Sequence, residues 1–235
     1  MKIAVTIATY KRSDGKTPFY LKRCLDSVFS QSFRDFKVFL AGDMYDDVRE
    51  WERLITPYEG SRFYSVNFPT PGEREKYKND KRALWCTGGT KACNKVIDVA
   101  LDQEYEYVCH LDHDDYWAVD HLRHINNCIE TLGADWVCTR STYGKGTVVL
   151  PQGVYEQRMV PFLPVPGGVI NSATCYNYKT IPLRGEDTVE TRGIAIPADA
   201  DLWDRMRKYM EENGKKGYLV NLVTCFHAEE GYTYR

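Results

Sequence analysis

No run of apolar residues in this chain is longer than four, as in Val38-Phe39-Leu40-Ala41. A membrane helix needs roughly 20, so no membrane span is expected. A secretory leader is not expected either. Met1-Lys2-Ile3-Ala4-Val5-Thr6-Ile7-Ala8 enters a strand pattern directly, and its apolar stretch is too short for a signal-peptide core. The resulting expectation is a cytoplasmic protein. An excess of one charge is also missing: 31 Lys plus Arg face 33 Asp plus Glu, a net charge of −2. A dedicated nucleic-acid-binding domain would be strongly basic, so no nucleic-acid partner is expected. The eight cysteines, at 24, 86, 93, 109, 128, 138, 175 and 225, include no Cys-x-x-Cys pair. Several lie inside apolar runs, such as Tyr107-Val108-Cys109, and read as buried free thiols. Repeats and low-complexity segments are lacking. What remains is an ordinary globular composition, 235 residues with 43% hydrophobic, enough to bury the core of one domain.

The first half alternates two periods. Period-two or continuous apolar runs at 2–8, 36–41, 62–66, 105–111 and 135–140 predict strands. Helical spacing at 18–31, 46–56, 88–101 and 119–132 predicts helices between them. Strands separated by helices imply parallel pairing with right-handed crossovers. The polar, basic stretch 69–82 reads as a solvated loop, with a lid over an anionic ligand as the alternative. From 143 to 197, Gly, Pro and short β-like runs predict hairpins and loops. A helix at about 199–213 and a strand at 217–226 close the chain.

In an open parallel sheet, ligands bind beyond the carboxyl ends of the strands. Past the first strand stand Thr9, Tyr10, Lys11 and Arg12. Past the second stands Asp43, and past the fourth stand Asp112, His113, Asp114 and Asp115. Carboxylates at neighbouring strand ends repel unless a cation or a hydrogen-bonding ligand lies between them. Asp112-x-Asp114 can present two oxygens to one Mn²⁺ or Mg²⁺, which prefers such donors and leaves room for substrate phosphates. The bland alternative is helix capping, with Asp115 or a neighbour capping a helix that starts near Val119. His110, His113, His121 and His124 could suggest zinc. The stronger reading is that His113 is the variable residue between two aspartates, and that His121 and His124 share a solvated helix face. Lys11-Arg12 reads as surface. Tyr143, Tyr155, Tyr176 and Tyr178 either stack on acceptor sugars or pack the hairpins.

Leu111-Asp112-His113-Asp114-Asp115-Tyr116-Trp117, with Asp120 and Leu122 after it, resembles a segment of the family 2 glycosyltransferases of GT-A fold. Val5-Thr6-Ile7-Ala8-Thr9-Tyr10-Lys11-Arg12 is similar to that family's first strand, and Gly42-Asp43 to the end of its second. Asn94 with Ala100-Leu101 matches the helix before the aspartate strand. Asp199-Ala200-Asp201-Leu202-Trp203 is similar to its acidic helix. The resemblance covers 1–142 well, 198–230 moderately and 143–197 poorly. It implies an α/β, GT-A-like fold: a Rossmann-type, mostly parallel central sheet flanked by helices, with a smaller mixed β/loop acceptor region in the second half. It further implies one catalytic domain over 1–235, with a nucleotide-sugar half at 1–142 and an acceptor-side half at 143–235.

The implied activity is metal-dependent transfer of a sugar from a nucleotide-diphosphate-sugar, a UDP-sugar being favoured, to a glycan or other hydroxyl acceptor. The implied stereochemistry is inversion by in-line displacement, and the implied cofactor is Mn²⁺ or Mg²⁺. Thr9 and Tyr10 would line the nucleotide pocket, with Asn94 among the donor-binding residues. Asp43 would bond the base. Asp112 would face the ribose or the metal, Asp114 would bind the metal, and His227 would contact metal or diphosphate. Asp199 would be the catalytic base. The sequence departs from the pattern at Ala198, where Glu is usual, and Glu186-Asp187 is the rival source of the base. It departs at Cys93 too, where Arg is common. The competing readings are a nucleotidyltransferase, which would carry a Gly-rich loop absent from Ala8-Thr9-Tyr10-Lys11-Arg12, and an inactive nucleotide-sugar-binding module.

Overall fold

In the computed structural model of the chain, residues 1–69, 73–186 and 196–227 are described. The β-branched opening run forms β1 (Ile3–Thr9), which is buried on both faces, as a central parallel strand must be. The alternating pattern continues through α1 (Thr17–Phe29), β2 (Phe36–Asp43), α2 (Val48–Ile55), β3 (Phe63–Phe68), α3 (Glu73–Lys76), α4 (Lys81–Thr87) and α5 (Thr90–Asp102) to β4 (Tyr107–His110). Then come β5 (Tyr116–Trp117), α6 (His121–Leu132), β6 (Trp136–Tyr143), β7 (Val148–Leu150), β8 (Met159–Pro161) and β9 (Thr174–Asn177). α7 (Ala198–Glu212) and β10 (Gly217–Phe226) follow.

One mixed sheet runs in the order β3-β2-β1-β4-β9-β6-β10-β5, with β7 on β6 and β8 on β10. β3, β2, β1 and β4 are parallel, and Val5 lies opposite both Val38 and Cys109. The period of two divides β1 between two cores. Ile3, Val5 and Ile7 pack with Leu21, Leu25 and Val28 of α1 and Leu122 and Ile125 of α6. Ala4 packs with Val96, Ile97 and Ala100 of α5 and Leu202, Trp203 and Met206 of α7. This is the GT-A-like α/β arrangement expected from the motifs. One departure concerns β4 and β6, which do not pair. β9 lies between them, antiparallel to both, so the second half contributes a strand to the middle of the sheet.

Three local expectations are corrected. The described residues 73–82 are not a solvated loop, because they form α3 and the start of α4, with Glu73 and Tyr77 buried. His121 is not on a solvated face either. It is buried, stacks on Trp117 at 4.2 Å and bonds Thr224 through Nδ1 at 2.8 Å. Burial holds its pKa down to about 3, so it is a neutral core residue. Finally, α6 starts at His121, not near Val119. Its N-cap is Asp120, which makes no side-chain cap bond, and Asp115 is fully buried elsewhere. The cysteines follow the sequence reading: all eight are free thiols, seven of them buried.

Candidate active site

The first half of the site stands at the ends of β1 and β2. Thr9 is buried, with Oγ1 3.0 Å from the Tyr45 hydroxyl. Tyr10 meets His113 edge-on at 5.0 Å. Asp43 ends β2 after Gly42, where a Cβ would lie 2.7 Å from the Trp51 ring and 2.9 Å from Asn67 Oδ1. Only glycine lets those two side chains close under Asp43. The Asp43 carboxylate is 6% exposed and accepts from Arg74 Nε at 2.5 Å. The Arg74 guanidinium also lies 3.4 Å over the Tyr10 ring. Tyr10 and Asp43 are thus brought together, and an arginine from α3 joins them.

The second half is the loop after β4. The Ser172 hydroxyl accepts from the Asp112 N–H at 3.0 Å and donates to Asp115 Oδ2 at 2.5 Å. The Ser172 carbonyl accepts from Trp117 Nε1 at 2.7 Å. Arg23 donates to the Asp114 carbonyl at 2.6 Å, and Arg12 pairs with the Asp114 carboxylate at 3.1 Å. Asp115, fully buried, bonds His227 Nδ1 at 3.0 Å, and Tyr143 stacks on the His227 ring at 5.3 Å.

The three aspartates share one loop, and the charges of two of them act on the third. Desolvation, then the charges of Asp115 and Asp114, push the Asp112 carboxyl up to about 7, with His227 opposing and Asp199 adding to the repulsion. The Asp112 side chain still meets solvent, so the repulsion is the part of this shift that a ligand can reverse. Desolvation opposes protonation of His227, but the charges of Asp115, Asp112 and Asp114 outweigh it and raise the imidazole to about 9. His227 is therefore an imidazolium at neutral pH, a donor and a cation facing the aspartates.

Asp199 lies in the first turn of α7 and is close enough for its charge to act on Asp112. It is not the N-cap. That position is Pro197, and the Asp199 carboxylate accepts from the Ala200 N–H at 2.8 Å. Asn94 is half-buried, and its Nδ2 donates to the Gly185 carbonyl at 2.9 Å. Asn94 thus tethers the segment that carries Glu186, while Asp187 lies outside the described residues. Tyr176 and Tyr178 are buried and stacked at 4.5 Å, so they pack the core.

The donor chemistry fits a hard divalent cation at Asp112 and Asp114, two oxygens on one strand-end loop under mutual repulsion. Among the described residues no group of three or more His, Cys, Asp or Glu is arranged to hold an ion. An ion here would take one or two carboxylates and complete its shell with water and phosphate, which is the habit of Mg²⁺. His227 bonds Asp115 through Nδ1 at 3.0 Å on the same side of the loop.

The sequence reading missed four residues. Arg12 passed for surface, and Asp115 passed for a cap. Arg74 lay in a stretch without apolar periodicity, and Ser172 lay in the region that the motifs did not reach. For Ser172 no signal in the sequence could have served. It contacts Asp112 and Asp115 across about 60 residues.

No family model matches the chain. The glycosyltransferase R139 of Acanthamoeba polyphaga mimivirus is 31% identical over 245 residues, spanning 98% of this chain and 95% of that protein. Among solved structures, S. aureus TarS residues 1–349 in complex with UDP-GlcNAc superposes with a TM-score of 0.70 at 16% identity, covering 97% of this chain. The mannosyltransferase PcManGT from Pyrobaculum calidifontis, in complex with GDP-Man and Mn²⁺, superposes at 0.61 and 14% identity over 99% of this chain. The chain spans 58% of each of these two. At these identities the two structures establish the shared fold, while the viral relative matches nearly end to end. The chain belongs to the glycosyltransferases, as a family 2-like member with a GT-A fold.

Proposed function

We propose that the chain is a single catalytic domain that moves a sugar from a nucleotide-diphosphate-sugar, a UDP-sugar in first place, to a hydroxyl of a glycan or other acceptor. The reaction uses Mn²⁺ or Mg²⁺ and inverts the anomeric centre by in-line displacement. The observation that carries this reading is the mutual electrostatic reach of Asp112, Asp114, Asp115, His227 and Asp199 at one edge of the sheet. Such a constellation offers carboxylates for a cation, a cation for a leaving diphosphate and a further carboxylate for an acceptor proton. The neighbours support the donor class, since the TarS structures hold UDP-GlcNAc or UDP and the mannosyltransferase holds GDP-Man with Mn²⁺.

In this reading Thr9 and Tyr10 line the nucleotide pocket and Asp43 bonds the base. Asp112 and Asp114 would hold the metal, which when bound would supply positive charge against the leaving diphosphate. His227 contacts the metal or the diphosphate. Asn94 is among the donor-binding residues, with its amide held to the Gly185 carbonyl. Asp199 takes the proton from the acceptor hydroxyl. Among the described residues no helix is long and apolar enough to cross a membrane, and the free thiols suit a cytoplasmic setting.

The test is a panel of nucleotide sugars with Mn²⁺, Mg²⁺ or EDTA, read by thermal shift and by release of nucleoside diphosphate. A ligand that binds only the native state raises its stability by mass action. Metal-dependent stabilisation and slow donor hydrolysis are expected for a UDP-sugar. Stabilisation by no nucleotide sugar at all would retire the reading.

A further inference from the structure

Four of the five tryptophans are buried, Trp136 and Trp203 fully and Trp117 and Trp51 at 3% and 7% exposure, while Trp85 of α4 is 39% exposed. Its surroundings are basic. Residues 73–95 hold seven Lys and Arg against three Asp and Glu, a charge of +4, which leaves −6 for the rest of the chain. The three acids are engaged locally. Glu73 is buried and accepts from the Lys91 N–H at 3.4 Å, Asp80 caps α4 through the Ala83 N–H at 2.9 Å, and Glu75 pairs with Lys78 at 2.5 Å. Burial of Tyr77, Ala83, Cys86 and Thr87 fixes the inner side of the segment. Lys76, Lys78, Lys81, Arg82, Lys91 and Lys95 are exposed, and the Arg82 guanidinium lies 4.7 Å over the Trp85 ring. The segment borders the candidate site. Arg74 holds Asp43 at 2.5 Å, and a Cβ on Gly89 would lie 3.5 Å from Ala8, near the end of β1.

We propose that the outer side of residues 73–95 is a docking surface for an anionic phospholipid bilayer, with Trp85 as its interfacial anchor. An indole at a membrane interface keeps its ring among the upper acyl chains and its N–H among the headgroups. Each Lys or Arg brought to an anionic leaflet adds about fivefold to partitioning, and clusters of about four to eight suffice. The six exposed cations of this segment fall within that range. A bilayer is flat and meets only the face turned toward it. A long soluble polyanion would also run over the acidic remainder of the chain, and it offers no apolar layer for the indole. Docked this way, the chain holds the candidate site beside the lipid surface.

Sedimentation of the full chain with vesicles of phosphatidylcholine, alone or with one-third phosphatidylserine, measures the partition. Wild type should bind the mixed vesicles more tightly than the neutral ones by about tenfold or more, and less so as salt rises. Lys78→Ala, Lys81→Ala and Lys91→Ala combined should lose about a hundredfold. All three side chains are exposed, so the fold survives their loss. Trp85→Phe keeps a ring while removing the exposed indole. On vesicles with brominated acyl chains, wild-type fluorescence should be quenched and that of Trp85→Phe should not, with sedimentation retained. Equal binding to neutral and anionic vesicles, or binding to neither, would overturn the proposal. Binding without quenching would overturn it as well and make the patch a site for soluble polyanions. Heparin would then bind wild type and lose its hold on the triple variant. Lipid binding needs no nucleotide, so failure here leaves the transferase reading to its own test.

Discussion

Asp115 and His227 stand 3.0 Å apart although 112 residues separate them in the chain. The contact joins the loop after β4 to the residue that follows β10 and, with the Ser172 hydroxyl, supports a fully buried carboxylate there. Removing one partner of a buried charge pair typically costs about 3–5 kcal/mol. His227→Ala should therefore lower the melting temperature by about 6–20 °C, as expected for a chain of this size. The pH dependence has a definite sign. The folded His227 pKa, about 9, lies above the ordinary 6.5, so its contribution is complete below about pH 6.5 and is lost as pH rises through about 9. Melting curves of wild type should converge on those of His227→Ala across that window. Parallel curves from pH 6 to 9 would count against an imidazolium at this position.

Asp112 gives a second proton-linked prediction, with a ligand in place of heat. Its folded pKa, about 7, lies above the usual 3.8, so the protonated form is favoured in the folded chain. That contribution is complete below about pH 3.8 and is lost as pH rises through about 7. A cation bound between the carboxylates removes the repulsion and expels the proton. Mn²⁺ affinity, measured with a nucleoside diphosphate present, should rise from pH 6 to 8 in wild type. Calorimetry in buffers of different ionisation enthalpy should show proton release. Asp112→Asn should abolish that release, and release persisting in the variant would assign the proton elsewhere.

Asp114 is the residue on which metal dependence turns. Arg12 now shares its carboxylate at 3.1 Å, and Arg23 holds its carbonyl. Asp114→Ala should abolish transfer and remove the Mn²⁺ dependence of donor binding, with the fold preserved because the side chain is partly exposed. Arg12→Ala should leave metal-dependent transfer in place and weaken donor binding, since the loop that carries Tyr10 loses its tether to the aspartates. Wild-type turnover in Asp114→Ala would sink the metal assignment.

The strands and helices of the first half were legible because each buries a repeating face. Leu21, Cys24, Leu25 and Val28 of α1 mark one side of a helix in the sequence and pack as one side in the structure. The strand-end residues were legible for the same reason: once β1, β2 and β4 are recognised, Tyr10, Asp43 and Asp112 must stand at one edge. Contacts between distant segments were not. Nothing local marks Thr174–Asn177 as the strand between β4 and β6. Ser172 sits two residues before that strand and reaches the aspartate loop only because of it. His121 looked solvated by helical spacing, yet Trp117 and Thr224 cover it. Arg74 lacked apolar neighbours in a period, because its role is to pair and stack, and neither leaves a pattern in sequence.

The base is tested by a substitution that separates chemistry from folding. Asp199 occupies the first turn of α7, where the helix N-terminus favours a carboxylate by roughly 0.3–1 kcal/mol. The N-cap is Pro197 and not Asp199, so Asn at 199 keeps the cap and forfeits the interaction of charge with the helix end, for which the melting temperature should fall by about 2–4 °C. Asn keeps an oxygen for the Ala200 N–H, so the local turn survives. It cannot accept the acceptor's proton, so transfer should fall by roughly 100-fold or more, the scale of general-base loss. Donor affinity, which depends on Tyr10, Asp43 and the aspartate loop, should hold. A fall in the maximal rate with unchanged donor binding is the signature of an interaction made only in the transition state. Glu186, on the segment that Asn94 tethers at Gly185, offers the control. If Asp199→Asn transfers at the wild-type rate while Glu186→Gln or Asp187→Asn does not, the proton goes to that segment, and α7 serves only to pack Leu202, Trp203 and Met206 beneath the site.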